Sequence, residues 1–163
     1  MNSKCSNSYA AVQIWATVPV PVARVFNIIT VDEYIELWLG VDAGVRCRLE
    51  ANVGGRFSVH GQFFDGFSHS ISGITEQYKQ YERIVVRFRC RPGYSMSELS
   101  VTLHQAVGST EIRLSHTGLI SDRQIQIAEE FWEKALKRMT ILMGCQTEAF
   151  SIISSVPDSL VAS

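Results

Sequence analysis

A chain of 163 residues with 46% hydrophobic and 19% charged residues has the composition of a folded domain, which argues against a disordered protein. Its 15 lysine and arginine residues stand against 16 aspartate and glutamate residues, so the formal net charge is -1. That balance excludes a strongly basic surface, and we expect no nucleic acid partner. We expect a single domain over 1–163 with an ordered core over about 9–152.

The cysteine pattern and the amino terminus bear on the compartment. Cys5, Cys47, Cys90 and Cys145 are far apart and form no CxxC pair, so they predict reduced thiols rather than disulfides or a zinc site. Residues 1–8 lack the apolar core of a signal peptide, and no run of roughly 18 apolar residues follows. We therefore expect a cytoplasmic protein without a membrane span.

The first part of the chain predicts one strand and two short helices. Tyr9 to Val18 alternates between apolar and polar side chains, as a strand does. Pro21 suits the first turn of a helix, and apolar residues then recur at helical spacing, at Val22, Val25, Phe26 and Ile29. Thr30 and Glu33 form a capping-box pattern, which predicts a second helix through Leu37.

The segment from Gly44 to Thr117 has the texture of an antiparallel meander of six strands. Its clearest strand is Arg83 to Arg91, for which we predict two faces. The apolar face holds Ile84, Val86, Phe88 and Cys90, and the outer face holds Arg83, Val85, Arg87 and Arg89. The outer charges favour a solvated sheet face, with an acidic partner as the alternative.

A long amphipathic helix follows the meander. Ser121 and Gln124 form a second capping-box pattern, and the helix is predicted to run to about Phe150 before a frayed tail from Ser154. The element order predicts an α+β fold. In it, a curved antiparallel sheet of about seven strands wraps the long C-terminal helix, with two short helices after the first strand.

Several segments, in order, resemble the START-like (SRPBCC) superfamily, in its bacterial branch similar to the C-terminal domain of the Hsp90 ATPase activator. The segments are residues 18–26, 37–40, 53–57, 73–76, 82–88, 110–119 and 131–136. The resemblance implies a helix-grip fold with a cavity between the sheet and the long helix, which the superfamily uses for lipids, polyketides and other apolar molecules. It does not by itself assign a function.

The chain departs from the family pattern at two places. Leu37, Trp38 and Leu39 stand where the family usually has a pair of tryptophans. The Asp65-Gly66 turn is followed by Phe67, where the family often has a charged residue, so an aromatic hairpin is expected at the cavity mouth.

His116 is the first candidate for chemistry, because it follows Ile112 and Leu114 on the inward face of its strand. An inward imidazole could orient a ligand or move a proton, and the alternative is a hydrogen bond to the start of the long helix. Asp65 could act with His116 as an acid/base pair, or simply form a hairpin turn. His60, His69 and Asp65 do not have metal-ligand spacing, so we expect no metal and no cofactor.

The leading hypothesis is that a small hydrophobic or aromatic molecule binds in the cavity, with His116 as its polar anchor. The expected walls are Trp38, Phe57, Phe64, Ile71, Phe88, Leu99, Val101, Trp132, Leu136 and Met139. Two alternatives stay open. One is a cofactor-free cyclase, dehydratase or isomerase that uses the same cavity, and the other is an Hsp90-type co-chaperone module. Homodimerisation also stays open.

Overall fold

A computed structural model describes residues 10–63, 68–89, 96–145 and 151–155. The helices are α1 (Val22–Thr30), α2 (Asp32–Leu39) and α3 (Asp122–Leu142). The strands are β1 (Ala10–Val18), β2 (Gly40–Leu49), β3 (Arg56–Phe63), β4 (Ser68–Lys79), β5 (Arg83–Arg89), β6 (Ser97–Ala106), β7 (Ser109–Leu119) and β8 (Ser151–Ser155).

All the strands form one antiparallel sheet in the order β2-β3-β4-β5-β6-β7-β1-β8. The predicted α+β helix-grip fold is confirmed, as are the two short helices after β1 and the six strands between β1 and the long helix. The eighth strand was not predicted. It pairs Ser151 to Ser155 with β1. The expectation of a frayed tail from Ser154 is therefore wrong for Ser154 and Ser155.

The long helix ends at Leu142, earlier than the predicted Phe150. Gly144 has a positive φ of 77° and its N–H bonds to the carbonyl of Ile141, while the N–H of Cys145 bonds to that of Thr140. These two bonds are a Schellman motif, which ends a helix because its last carbonyls receive donors from a left-handed residue. The glycine was visible in the sequence, and its position after the last apolar turn was the missed signal.

One of the two predicted capping boxes is correct. Ser121 Oγ accepts a hydrogen bond from the Gln124 N–H at 3.2 Å, and Gln124 Oε1 accepts one from the Ile120 N–H, one residue earlier than the ideal box. The box at Thr30 is wrong. Thr30 is the last residue of α1, and its hydroxyl donates to the Phe26 carbonyl instead, because α1 and α2 follow each other with only Val31 between them.

The outer face of the sheet is charged, and several of its arginine side chains form ion pairs with glutamates of the same face. Arg87 contacts Glu76 at 3.1 Å and Glu98 at 3.9 Å, and Arg113 pairs with Glu111. Val85 was expected to be outward and solvated, but it is only 2% exposed although it lies outside the core cluster. Long side chains two residues away on the same strand face can cover it, since arginine buries its stem along apolar surface. Cys90 and Arg91 lie outside the described residues.

The core lies on the inner face, and more than the long helix covers it. Ile125, Trp132, Leu136 and Met139 of α3 are buried there, as the periodicity predicted. The two short helices also contribute, at Val25, Phe26, Ile28, Ile29, Ile35, Trp38 and Leu39. The long helix is therefore not the only cover of the inner face. Among the described helices, none combines the length and apolar character needed to cross a bilayer.

Helix α2 also protects one edge of the sheet. The N–H of Leu49 donates to Asp32 Oδ1 at 2.9 Å, and the N–H of Cys47 donates to Glu36 Oε1 at 3.1 Å. The carboxylates are one helical turn apart and the amides are two residues apart, so the helix face matches the spacing of the outward amides of an edge strand. Unpaired edge amides invite association with other chains, and these carboxylates occupy two of them.

We expect Asp32→Ala and Glu36→Ala each to lower the free energy of unfolding by about 1.5–3 kcal/mol, because each removes a charged acceptor from a backbone N–H. Urea denaturation measures the change, and hydrogen exchange of the Leu49 and Cys47 amides reports it locally. Glu33→Ala, on an exposed position of the same helix, is the matched control. Equal losses in all three variants would contradict the edge-capping role.

Candidate functional site

A cavity of about 1340 Å³ lies between the inner face of the sheet and the three helices. Its size exceeds the usual range for small-molecule sites, which is roughly 300–1000 Å³. Nine of the ten residues expected to form its walls line it, namely Trp38, Phe57, Ile71, Phe88, Leu99, Val101, Trp132, Leu136 and Met139. The tenth, Phe64, lies outside the described residues.

Sequence reasoning missed other lining residues. Ile29, Ile35 and Leu39 come from the short helices, from which only Trp38 was expected in the wall. Ser97 and Gly118 also line it, and each lies two residues from an expected inward residue, Leu99 or His116. Counting one more step along the two-residue period of the strand would have found both.

Gly118 is required at its position. Its φ is +90°, and a Cβ there would lie 2.4 Å from the carbonyl oxygen of Met96. Only glycine tolerates both the positive φ and this close approach of the neighbouring strand. The position beside His116 on the inner face therefore carries no side chain, which leaves space at that end of the cavity.

The cavity opens along the first two-thirds of α3. The lining residues there are exposed, and they are Asp122, Arg123, Gln126, Ile127, Glu130 and Lys134. These five polar residues and one apolar residue form the exposed part of the described lining. Every charged residue of the described lining belongs to this exposed group, so the inner walls that the structure describes carry no formal charge.

His116 sits on the inner wall and bonds to the middle of α3. The Trp132 Nε1–H donates to His116 Nδ1 at 3.0 Å, and both residues are buried. The expected hydrogen bond from His116 to the start of the long helix is therefore wrong in its partner. An indole nitrogen can only donate, so Nδ1 must be the unprotonated nitrogen of a neutral imidazole. The ring proton then lies on Nε2.

The other nitrogen of His116 has no partner. Among the residues that the structure describes, Nε2 is the only buried side-chain nitrogen or oxygen without a hydrogen bond. Burial lowers the pKa of His116 from 6.5 to about 4, because the charged imidazolium loses its hydration. The site therefore presents a neutral N–H donor at neutral pH. A lone pair for a general base is absent from Nε2 in this tautomer.

Aromatic rings lie close to the His116 imidazole. The His116 ring centroid lies 5.7 Å from that of Phe88 and 6.0 Å from that of Trp132. Trp132 in turn lies 6.4 Å from Trp38, and Phe88 lies 6.4 Å from Phe57. The Trp38 Nε1–H donates to the Ile28 carbonyl at 2.8 Å, so both indole N–H groups are used within the protein.

The remaining candidates form no second site within the part of the chain that the structure describes. Asp65 lies outside the described residues, so nothing brings it together with His116. His60 Nδ1 lies 2.9 Å from Ser70 Oγ on an exposed strand. Within the described residues, no group of three potential metal ligands occurs. Burial, and then the nearby carboxylates of Asp32 and Glu36, raise the pKa of the Cys47 thiol to about 12, which keeps it protonated.

The model of one protein family, described as "Activator of Hsp90 ATPase homolog 1-like protein", matches residues 19–144. This range is more than half of the chain and includes β2 to β7 and all three helices. The chain belongs to this family. The resemblance to the START-like superfamily is thereby confirmed. No curated protein matches the sequence.

Several solved structures share the fold at low sequence identity. Protein CV1439 from Chromobacterium violaceum is 20% identical with a TM-score of 0.69, over 83% of this chain and 98% of the other. CalU16 from Micromonospora echinospora is 18% identical with a TM-score of 0.67, over 83% and 76%. PFC0360w, an HSP90 activator from Plasmodium falciparum, is 19% identical with a TM-score of 0.68, over 85% and 99%.

The lowered pKa of His116 predicts a pH dependence of stability. Between pH 6.5 and about 4 the unfolded chain binds a proton at this position and the folded chain does not. Protonation of His116 therefore does not lower the free energy of unfolding above pH 6.5. Below pH 6.5 it lowers that free energy as the pH falls, by at most about 1.4 kcal/mol per pH unit. His116→Asn keeps an acceptor for Trp132 but cannot titrate, so we expect a flatter slope in urea denaturation across this range.

His104→Asn is the control, since it removes a histidine from an exposed position of the sheet. A slope in His116→Asn equal to that of the wild type would contradict the neutral, buried state of His116.

Proposed function

We propose that this protein binds a small hydrophobic or aromatic molecule in its internal cavity, with His116 as the polar anchor. The cavity of about 1340 Å³, with uncharged inner walls, is the observation that supports this most directly. Protein interiors are normally packed as densely as organic crystals, and an unfilled apolar space loses dispersion contacts. A bound molecule restores those contacts. We place this binding in the cytoplasm.

A larger side chain on the cavity wall should weaken the binding without unfolding the protein. Leu99 is half-buried, lines the cavity and lies opposite His116 on the neighbouring strand. We expect Leu99→Trp to weaken binding of the fluorescent apolar probe N-phenyl-1-naphthylamine at least about tenfold. The larger side chain takes space beside His116 that the probe would use, and a tenfold loss corresponds to about 1.4 kcal/mol of lost apolar contacts. Fluorescence titration measures the affinity.

Leu37→Trp is the matched control, because Leu37 is 48% exposed on α2 and lies outside the described lining. Wild-type affinity in Leu37→Trp with lost affinity in Leu99→Trp supports the cavity. The proposal is refuted if the wild type binds neither this probe nor any larger or smaller apolar probe saturably.

A cyclase, dehydratase or isomerase is the second candidate, favoured by the unpartnered Nε2–H of His116 in a lining whose inner walls carry no formal charge. In that role His116 would stabilise a developing oxyanion by donating a hydrogen bond. Proton abstraction is less compatible with this wall, because Nδ1 is occupied by Trp132 and Nε2 carries the proton. The donor is equally suited to hold a ligand without chemistry.

An Hsp90-type co-chaperone module is the third candidate, favoured by the family match. The outer sheet face is less suited to reading a charged partner, since Arg87 and Arg113 already pair with carboxylates of the same face. We expect no stimulation of the ATPase of an Hsp90 from the same cell. A stoichiometric, saturable stimulation would favour this candidate over ligand binding.

A further inference from the structure

The hydrogen bond from Trp132 to His116 determines which imidazole nitrogen can donate a hydrogen bond to a ligand. Because the indole nitrogen occupies Nδ1, the Nε2–H of His116, a residue of the cavity lining, is left as a donor without an acceptor. The same bond disfavours the imidazolium, since a protonated Nδ1 would face the indole N–H donor to donor. This geometry assigns a neutral donor without reference to any titration.

This donor is unsatisfied in the protein alone. A buried N–H without an acceptor has lost its hydrogen bond to water without replacement, and native structures contain few such groups. Both indole N–H groups near the wall are occupied, since the Trp38 N–H bonds to the Ile28 carbonyl and the Trp132 N–H bonds to His116 Nδ1. An acceptor atom on a bound molecule would satisfy the remaining group.

Charge and shape narrow the class of molecule further. The charged residues of the described lining are all exposed along α3, so no cation meets a carboxylate at the inner wall. Burying a carboxylate there against one neutral N–H would cost more than the hydrogen bond returns. The rings of Phe88, Trp132 and Trp38 present flat aromatic surface near His116, which favours stacked or edge-on contact with a planar molecule.

We infer that the molecule bound in this cavity is an uncharged, planar, conjugated compound whose carbonyl oxygen accepts a hydrogen bond from His116 Nε2. Carboxylic acids, including fatty acids, are excluded from the inner wall. Trp132 acts as a positioning residue, since its N–H holds the imidazole in the tautomer that donates. The inference rests on the proposed function and names the ligand class of that same cavity.

Three matched tricyclic probes test the inference, namely 9-fluorenone, fluorene and fluorene-9-carboxylate. They share one ring system and differ in a neutral acceptor, no acceptor and an anionic acceptor. Each is measured by displacement of N-phenyl-1-naphthylamine from the wild type, His116→Asn and His116→Gln. Asparagine keeps an acceptor near Nδ1 for Trp132 but has no donor at the Nε2 position, whereas glutamine can place an amide N–H there.

We expect His116→Asn to weaken fluorenone binding about tenfold and fluorene binding less than about twofold. His116→Gln should recover most of the loss for fluorenone. The infrared carbonyl stretch of bound fluorenone should shift to lower frequency in the wild type and return in His116→Asn. A retained indole N–H resonance of Trp132 shows that the variant keeps its wall intact.

The possible failures are distinct. Equal losses for fluorenone and fluorene would overturn the donor assignment and leave the proposed function standing. Binding of the carboxylate as tight as that of fluorenone would overturn the uncharged class. If neither the fluorescent probe nor any of the three compounds binds the wild type, the proposed function fails together with this inference.

Discussion

One hydrogen bond, from the Trp132 indole to His116 Nδ1, joins the long helix to the inner face of the sheet across the cavity. It sets the orientation of both rings, the tautomer of the imidazole and the direction in which the remaining N–H points. Because the partners come from α3 and β7, the bond also fixes how the helix lies over the strands at this level. The state of the one unpartnered buried N–H in the described lining depends on this contact.

The rest of the fold leaves space where close packing would be expected. Six strands of the meander curve around the helix, and α1 and α2 close part of the inner face that α3 does not cover. Gly118 omits a side chain beside His116 because its φ and the neighbouring strand permit none. Stability is instead supported at the periphery, where the carboxylates of Asp32 and Glu36 bond to the backbone of edge strand β2.

Family membership and cavity chemistry give different kinds of information. The family match and the neighbours at 18–20% identity establish the fold. One such fold can bind different ligands, because the sheet and the helix form a cavity and a few side chains determine which ligand binds in it. In this chain those side chains are His116, Trp132 and the ring wall around them.

The sequence by itself determined the fold class and most of the cavity wall. Strand and helix periodicity depend on local geometry, so the alternation ending in His116 and the apolar stripe containing Trp132 were enough to place both residues inward. Periodicity assigns a face but no partner, so only the tertiary structure decided that His116 bonds to Trp132 and that Nε2 is left free. Likewise, only packing decided the cavity volume, the covering by α1 and α2, and the pairing of β8 with β1, because these depend on contacts between residues far apart in the chain.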